Sequence, residues 1–303
     1  MQPALSIVRP VSTHSGASVA EGLFEGARAA VKVFASEAGF NRECGALGAA
    51  AASGAPVPAL LWVGFHGGKP TMVQEWIEGI PGPAAFRAAR GRARVALVGL
   101  AAATHAAMCR SALEAPAPDF GFMAHVGGLP ARHGWPGLLG SQVEKWLSRL
   151  SPASLAAIGG GGAIEALLRR VGAAPDDLRT VVHCDYLFRN LIVRPCGTAA
   201  IIDFGTALAG DPRYDLAKMV WSDLDGRGEL AAHFIRTWRE QSRIEAPDDV
   251  VDLYVRCHCL AAMAWVDKQP SPTGSDRAFR DLAMKTFAAA ARSRLRPPAR
   301  RVP

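Results

Sequence analysis

A carboxylate, an amide and a second carboxylate stand close together in the stretch VVHCDYLFRNLIVRPCGTAAIIDFG, residues 181–205. Asp185 follows His183-Cys184, Asn190 comes five residues later, and Asp203 opens Asp203-Phe204-Gly205. The apolar runs Leu191-Ile192-Val193 and Ile201-Ile202 flank a turn at Pro195 and Gly197, so the stretch reads as strand, loop, strand, turn, strand. A hairpin of this kind presents one acid to align an attacking hydroxyl and two oxygen-bearing side chains to hold a divalent cation. Those are the parts needed for phosphoryl transfer from a nucleotide, a reaction catalysed mainly by positioning and charge neutralisation.

Such groups need a sheet to hold the nucleotide. Residues 5–34 alternate like three strands, LSIVRPV, AEGLFEG and RAAVKVF. The link over residues 12–18 is made of small residues. Ser15 and Gly16 would let backbone N–H groups approach phosphate oxygens, and they equally suit an ordinary hairpin turn. Lysine occurs only at 32, 69, 145, 218, 268 and 285. Lys32 lies between apolar neighbours in the third strand, where its ammonium either faces solvent or is aimed at phosphates. A helix is expected from Phe40 to about Ala52, with Glu43 its only acid and Glu37 ahead of it. Then ALLWVGF and TMVQEWIEG read as two antiparallel strands about Gly67-Gly68, ended by Gly79 and the prolines at 81 and 83.

The pattern H-x-D-x-x-x-x-N followed by D-F-G resembles the catalytic centre of the protein-kinase-like fold. The residues after it narrow the resemblance. Gly205 is followed by TALAG and at once by Asp211-Pro212-Arg213-Tyr214-Asp215-Leu216-Ala217. This G-D-P-x-x-D-L-A run is similar to the aminoglycoside phosphotransferase family, whereas protein kinases carry a long activation segment ending in A-P-E. The resemblance is strongest over 181–217 and extends to 31–43, 74–79 and 12–18. One departure is Cys184, where the family usually has glycine; it bears on backbone preference and removes no catalytic group.

The resemblance implies an α+β, bilobal protein-kinase-like fold. Residues 1–77 would form a small antiparallel-sheet lobe with one helix, and 78–303 a larger, mainly helical lobe ending in a basic flexible tail, 293–303. It implies ATP and Mg2+ as cofactors. Lys32, held by Glu43, would contact the α and β phosphates near Ser15 and Gly16. The Glu75 carbonyl and the Ile77 N–H would meet the adenine edge, with Gln74 behind the base. Asp185 would align the acceptor hydroxyl and take its proton late, while Asn190 and Asp203 hold the metal. His183 would hold the loop. Arg189 would meet a phosphate or a substrate anion, or lie on the surface. The implied activity is phosphorylation of a small-molecule hydroxyl, first of all on an antibiotic. The alternatives are a metabolite kinase of the choline, fructosamine or homoserine type, and a catalytically silent nucleotide-binding module.

Composition agrees with that reading. A chain of 303 residues, 50% hydrophobic, can bury a two-lobed core. No apolar run reaches the roughly 18 residues of a membrane span, and MQPALSIVRP does not read as a secretory signal. Six cysteines in a chain of this size suggest reduced thiols and a cytoplasmic protein. The net charge of +7 suggests an anionic partner. The arginines are scattered, however, no nucleic-acid module accompanies them, and ATP is itself anionic. The expected partner is a small hydroxyl-bearing molecule, without nucleic acid or membrane, bound by a monomer or homodimer.

The rest of the chain reads as helical. His105 is expected in the core. Residues 115–140 form a long loop whose His125, His133 and Trp135 either touch substrate or are structural. The glycine run 159–162 reads as a connector between helices. Cys257-His258-Cys259 lies within an amphipathic helix, where neighbours i and i+2 diverge, and no C-x-x-C accompanies it, so a metal site is not expected. The helices after residue 217 would cap the cleft and choose the acceptor.

Overall fold

The computed structural model describes residues 4–13, 16–110, 134–225 and 228–292; Ser15, His125, His133 and the tail 293–303 lie outside them. Five strands form the first sheet: β1 (Leu5–Thr13), β2 (Ala17–Phe24), β3 (Ala27–Phe34), β4 (Leu60–His66) and β5 (Lys69–Glu75). Their order is β1-β2-β3-β5-β4, antiparallel throughout. The two-residue turns Glu25-Gly26 and Gly67-Gly68 have positive φ at both positions, the geometry that matches the twist of the flanking strands. In the central strand β3, Lys32 lies opposite Val19 on one side and Met72 on the other, so its register is fixed from both edges.

Helix α1 (Glu37–Ala52) starts earlier than the expected Phe40. Ser36 caps it, its hydroxyl accepting from Gly39 N at 3.2 Å, and Glu37 lies in the first turn, where the helix dipole favours an acid. The cap sets the start, whereas the apolar period alone begins at Phe40. Glu43 is therefore not the helix's only acid. Glu43 does share the buried face with Ala46, Leu47 and Ala50, the i, i+3, i+4, i+7 stripe of a helix packed on a sheet.

The remaining elements are β6 (Ile80–Pro81), α2 (Gly82–Ala88), α3 (Gly91–Cys109), α4 (Gly134–Leu147), α5 (Pro152–Ala157), α6 (Gly160–Gly172), β7 (Thr180–Val182), a 3₁₀ turn (Phe188–Asn190), β8 (Leu191–Val193), β9 (Ala199–Ile201), β10 (Leu208–Gly210), α7 (Arg213–Ser222), α8 (Glu229–Ser242), α9 (Asp248–Asp267) and α10 (Gly274–Arg292). Two expectations are corrected here. Strand β7 does not join the β8–β9 hairpin; it pairs with β10, while β6 extends the hairpin. The chain turns at Cys184, φ +64°, and residues 183–190 carry it away from β7. The glycine run also enters the helix: Gly159 and Gly160, φ +96° and +64°, make the break, and Gly161 and Gly162 lie in the first turn of α6. The apolar face of that helix, with Leu167 and Val171 buried, holds it against the core despite the poor propensity of its start.

Helix α9 is buried on nearly every side from Val251 to Val266, with α4, α6, α7 and α10 packed around it. Its His258 bonds through Nε2 to the Tyr214 carbonyl at 2.9 Å and so ties α9 to α7. His105 is fully buried in α3. No helix among the described residues is long and apolar enough to cross a membrane.

Candidate active site

Helix α7 holds the loop that carries Asp185 at both ends. Near its start, buried Asp215 accepts from His183 N at 2.6 Å through Oδ2 and from Cys184 N at 2.7 Å through Oδ1. Backbone donors on an ionised carboxylate make strong bonds. His105 Nε2 lies 3.2 Å from the same Oδ2, and its Nδ1 accepts from Trp238 Nε1 at 2.7 Å. With Nδ1 an acceptor, the proton sits on Nε2 and points at Asp215. At the far end of α7, Asp223 Oδ2 accepts from Phe188 N at 2.7 Å. The His183 ring spans the interior of the loop, donating from Nε2 to the Ile202 carbonyl at 3.0 Å and accepting from Asp185 N at 3.3 Å. Cys184 lies between these anchors in left-handed backbone, which costs an L-residue about 1–2 kcal/mol and glycine nothing. A preference for glycine at this position thus has a conformational cause.

Asp185 is surrounded by donors. Arg189 Nη2 reaches both of its oxygens, at 2.6 and 2.7 Å. Asn190 Nδ2 donates to Asp185 Oδ2 at 2.9 Å and to the Asp185 carbonyl at 2.7 Å. With its amide nitrogen so committed, Asn190 presents Oδ1 as its acceptor atom. From α7, Lys218 Nζ lies 3.8 Å from Asp185 Oδ1. Burial pulls the Lys218 ammonium below the ordinary lysine pKa, against the opposing pull of Asp185. The hairpin register then brings the second carboxylate alongside. Leu191 pairs with Ile201, and Ile202 N donates to the Asn190 carbonyl at 2.9 Å, so Asn190 and Asp203 emerge at the same end.

Lys32 joins the two lobes. Its Nζ lies 2.7 Å from Glu43 Oε1 and 2.7 Å from Asp203 Oδ1. It faces inward, so the solvent-facing alternative falls. Burial works against the Lys32 charge, but the Glu43 and Asp203 carboxylates outweigh it and raise its pKa above the ordinary value. Burial raises Glu43 likewise, opposed by Lys32. Asp203 adopts φ +66°, a left-handed conformation that Asp tolerates better than most residues. At Gly205 a Cβ would lie 3.2 Å from Glu43 Oε2 and 3.6 Å from Asp203 Oδ1, so glycine leaves room for the ion pair to close.

The family model of the phosphotransferase enzyme family, APH, matches residues 19–249. The chain belongs to this family. It is a kinase, transferring phosphate to an alcohol group, and its fold is the kinase-like one. Two solved structures of a thermostable mutant of the aminoglycoside phosphotransferase APH(4)-Ia are similar to it. The ternary complex with ADP and hygromycin B has TM-score 0.70 at 16% identity, covering 96% of this chain and 95% of that one. The complex with AMP-PNP and hygromycin B has TM-score 0.71 at 17% identity over the same shares. A protein assigned as a fructosamine-3-kinase from Haemophilus somnus has TM-score 0.61 at 14% identity, covering 94% of this chain and 92% of that one. No curated protein matches the chain in sequence.

The phosphotransferase's other expected site residues lie at the ends of the first sheet. The Gly16 carbonyl accepts from Ala35 N at 3.0 Å beside the start of β2. Glu75 closes β5, its N–H bonding the Ala59 carbonyl at 2.8 Å and its Oε2 accepting from Ala59 N at 3.2 Å. Ile77 is half-buried in the link from β5 to β6. Trp135 takes the structural alternative: it is buried, and its Nε1 donates to the Tyr254 hydroxyl at 2.8 Å, which donates in turn to Asp211 Oδ2 at 2.6 Å. Sequence reasoning missed Lys218, Asp223 and Gly82. Lys218 was within reach of it, since position i+3 from Asp215 shares a helix face. Gly82 starts α2 against the loop; a Cβ there would lie 2.1 Å from the Phe188 carbonyl oxygen.

Proposed function

We propose that this phosphotransferase moves the terminal phosphoryl group of ATP to a hydroxyl of a small molecule, with an antibiotic as the acceptor. The observation that carries the reading is Lys32, a desolvated ammonium aimed by Glu43 and Asp203 toward the space where nucleotide phosphates would lie. The Glu75 carbonyl and Ile77 N–H would border the adenine, and Gly16 the phosphates. Asp185 would accept the hydrogen bond of the acceptor hydroxyl and take its proton late in transfer. For that to happen the Arg189 fork must leave Asp185, and its guanidinium is then placed to meet the transferred phosphate. Asn190 Oδ1 and Asp203 are hard oxygen donors of the kind Mg2+ takes. When bound there, Mg2+ would neutralise charge on the phosphate oxygens.

An antibiotic acceptor is supported by the hygromycin B complexes of similar fold. A metabolite kinase is the second reading, supported by the likeness to the fructosamine-3-kinase. All six cysteines are free thiols, which supports a reducing, cytoplasmic setting. ATP consumption over a panel of antibiotics and hydroxyl metabolites, with mass spectrometry for one added phosphate, identifies the acceptor. Asp185→Ala is expected to lower turnover by about a thousandfold and leave ATP affinity within a few-fold. Near wild-type turnover in that variant would show that Asp185 is not the base.

A further inference from the structure

The two edges of the first sheet differ in character. β1 carries Arg9 and Pro10 and breaks register twice against β2, features that discourage a further strand from pairing there. β4 reads LLWVGFH, without Asp, Glu, Lys, Arg or Pro, and among the described residues no strand lies on its far side. Its one irregularity lies between Leu60 and Trp62, so 62–66 is a regular run about 17 Å long. Phe65 lies opposite Pro70, which has no N–H, so these two are not a hydrogen-bonded pair. By the alternation of an antiparallel ladder, Val63 and Phe65 turn their N–H and C=O groups out to the open edge. Their side chains share one face of the sheet and are 43% and 50% exposed, because α1 packs on β3 and β5 rather than on β4. Between them, Gly64 lies under the Trp62 ring: a Cβ there would be 2.4 Å from Trp62 Cζ2.

We propose that β4 pairs antiparallel with β4 of a second copy of this chain, about a two-fold axis at Gly64, so that the two five-stranded sheets become one continuous sheet. A two-fold contact must be self-complementary, and this strand is. Val63 of each copy meets Phe65 of the other, and both turn their backbone groups outward, so each pair exchanges N–H···O=C bonds while its apolar side chains pack on one face. The central pair is glycine opposite glycine, where backbones approach closely, and an indole covers each as aromatics shield edge glycines. No formal charge on either strand opposes the pairing, so only the chain's overall +7 resists it. The area sets the strength. This edge and its side chains bury on the order of 400 Å² per copy, about half of a standard interface. The dimer is therefore reversible, with a dissociation constant of about 10–100 µM. The proposal is independent of the phosphotransferase reading, since β4 holds none of the site residues.

The test is sedimentation velocity of the full chain from about 1 to about 300 µM, a range that brackets the expected dissociation constant. Wild type should pass from monomer to dimer across it, and more readily at high salt, which screens the net charge. Over the same range, amide exchange followed by NMR should slow several-fold at Val63 and Phe65 and stay unchanged at Gly64, whose N–H already faces β5. Phe65→Lys puts a charge on the edge at an exposed position. Val63→Pro removes an N–H that the monomer does not use, a change edge strands tolerate. Each should weaken association about tenfold or more, and thermal unfolding checks that each is folded; if Val63→Pro is not, Phe65→Lys decides. Val8→Lys, at an exposed position of β1, should leave the dimer unchanged. A chain that stays monomeric throughout overturns the proposal, as does a dimer indifferent to Phe65→Lys or one lost with Val8→Lys. Protection of the Val63 and Phe65 amides at every concentration overturns it too, because another segment of the chain would then cover the edge.

Discussion

Replacing Lys32 with methionine removes one charge and keeps most of the side-chain volume, so the cost can be worked from the groups left behind. In the native protein the ammonium lies 2.7 Å from both Glu43 and Asp203. Asp203 has a side chain 45% exposed and regains water, so little of the cost belongs to it. The Glu43 side chain is 3% exposed and regains none. Removing one partner of a buried ion pair costs about 3–5 kcal/mol; we take about 3 kcal/mol, because one side of this pair opens toward Asp203 and solvent. At about 2 °C per kcal/mol for a chain of this size, the thermal midpoint should fall by about 6 °C.

The pH dependence gives the sharper check. Burial already raises the Glu43 pKa with Lys32 opposing, and without Lys32 the rise is larger. A carboxyl with its folded pKa above its unfolded one contributes stability below the unfolded pKa, and that contribution is lost as pH rises through the folded pKa. The variant's deficit should therefore be small at about pH 5 and grow toward about pH 8. Adding Glu43→Gln should recover at least half of it. Thermal unfolding followed by circular dichroism reads all three proteins. A Lys32→Met protein that melts within about 1 °C of wild type at alkaline pH, or whose deficit grows toward acid, refutes the reasoning.

Other perturbations test neighbouring parts of the site. Asp203→Asn keeps the shape and the tolerance for φ +66° but would weaken the proposed Mg2+ ligand; turnover should fall about a hundredfold or more and the Mg2+ requirement rise, read by a magnesium titration of the initial rate. Cys184→Gly relieves the strain at φ +64° while adding unfolded-state freedom, for a net gain of about 0.5–1 kcal/mol in urea unfolding; a loss of stability would count against the conformational account. Gly82→Ala sets a methyl 2.1 Å from the Phe188 carbonyl oxygen, backbone against backbone. It should cost about 1–3 kcal/mol and lower kcat more than it raises KM, and a variant indistinguishable from wild type would mean that α2 does not support the loop.

The parts of the site that lie in one short stretch were the legible ones. Asp185, Asn190 and Asp203 fall on a loop and a hairpin whose register is local, so their spacing in sequence nearly is their spacing in space. Lys32 and Asp203 are 171 residues apart, and only the resemblance to a known family joined them in advance. The direction in which Lys32 points was not readable from its strand, because both faces of β3 are buried: Val31 and Lys32 are adjacent and both covered. Alternation decides inside from outside only where one face meets water. The early start of α1 was written in Ser36 and Glu37 but masked by an apolar period that begins later. Gly82, Gly205 and Gly210 are the least legible. Their role is the absence of a side chain where Phe188, Glu43 and Trp135 come close, and sequence carries no mark of which neighbour that will be.

The distribution of anchoring explains how such a site can be both rigid and open to an acceptor. Asp215 and Asp223 pin the loop backbone at residues 183, 184 and 188, and His183 braces it against the hairpin. Two residues in left-handed backbone, Cys184 and Asp203, stay there because these bonds over-determine them. Of the three side chains that touch Asp185, Asn190 is fixed by its second bond to the Asp185 carbonyl and Lys218 is enclosed on α7. Arg189 is the exception, with 59% of its side chain exposed. An ion pair in that setting is worth about 0–1 kcal/mol. Swinging Arg189 away therefore uncovers Asp185 at little cost, while the oxygen that would face a hydroxyl keeps its direction from Asn190 and from the loop.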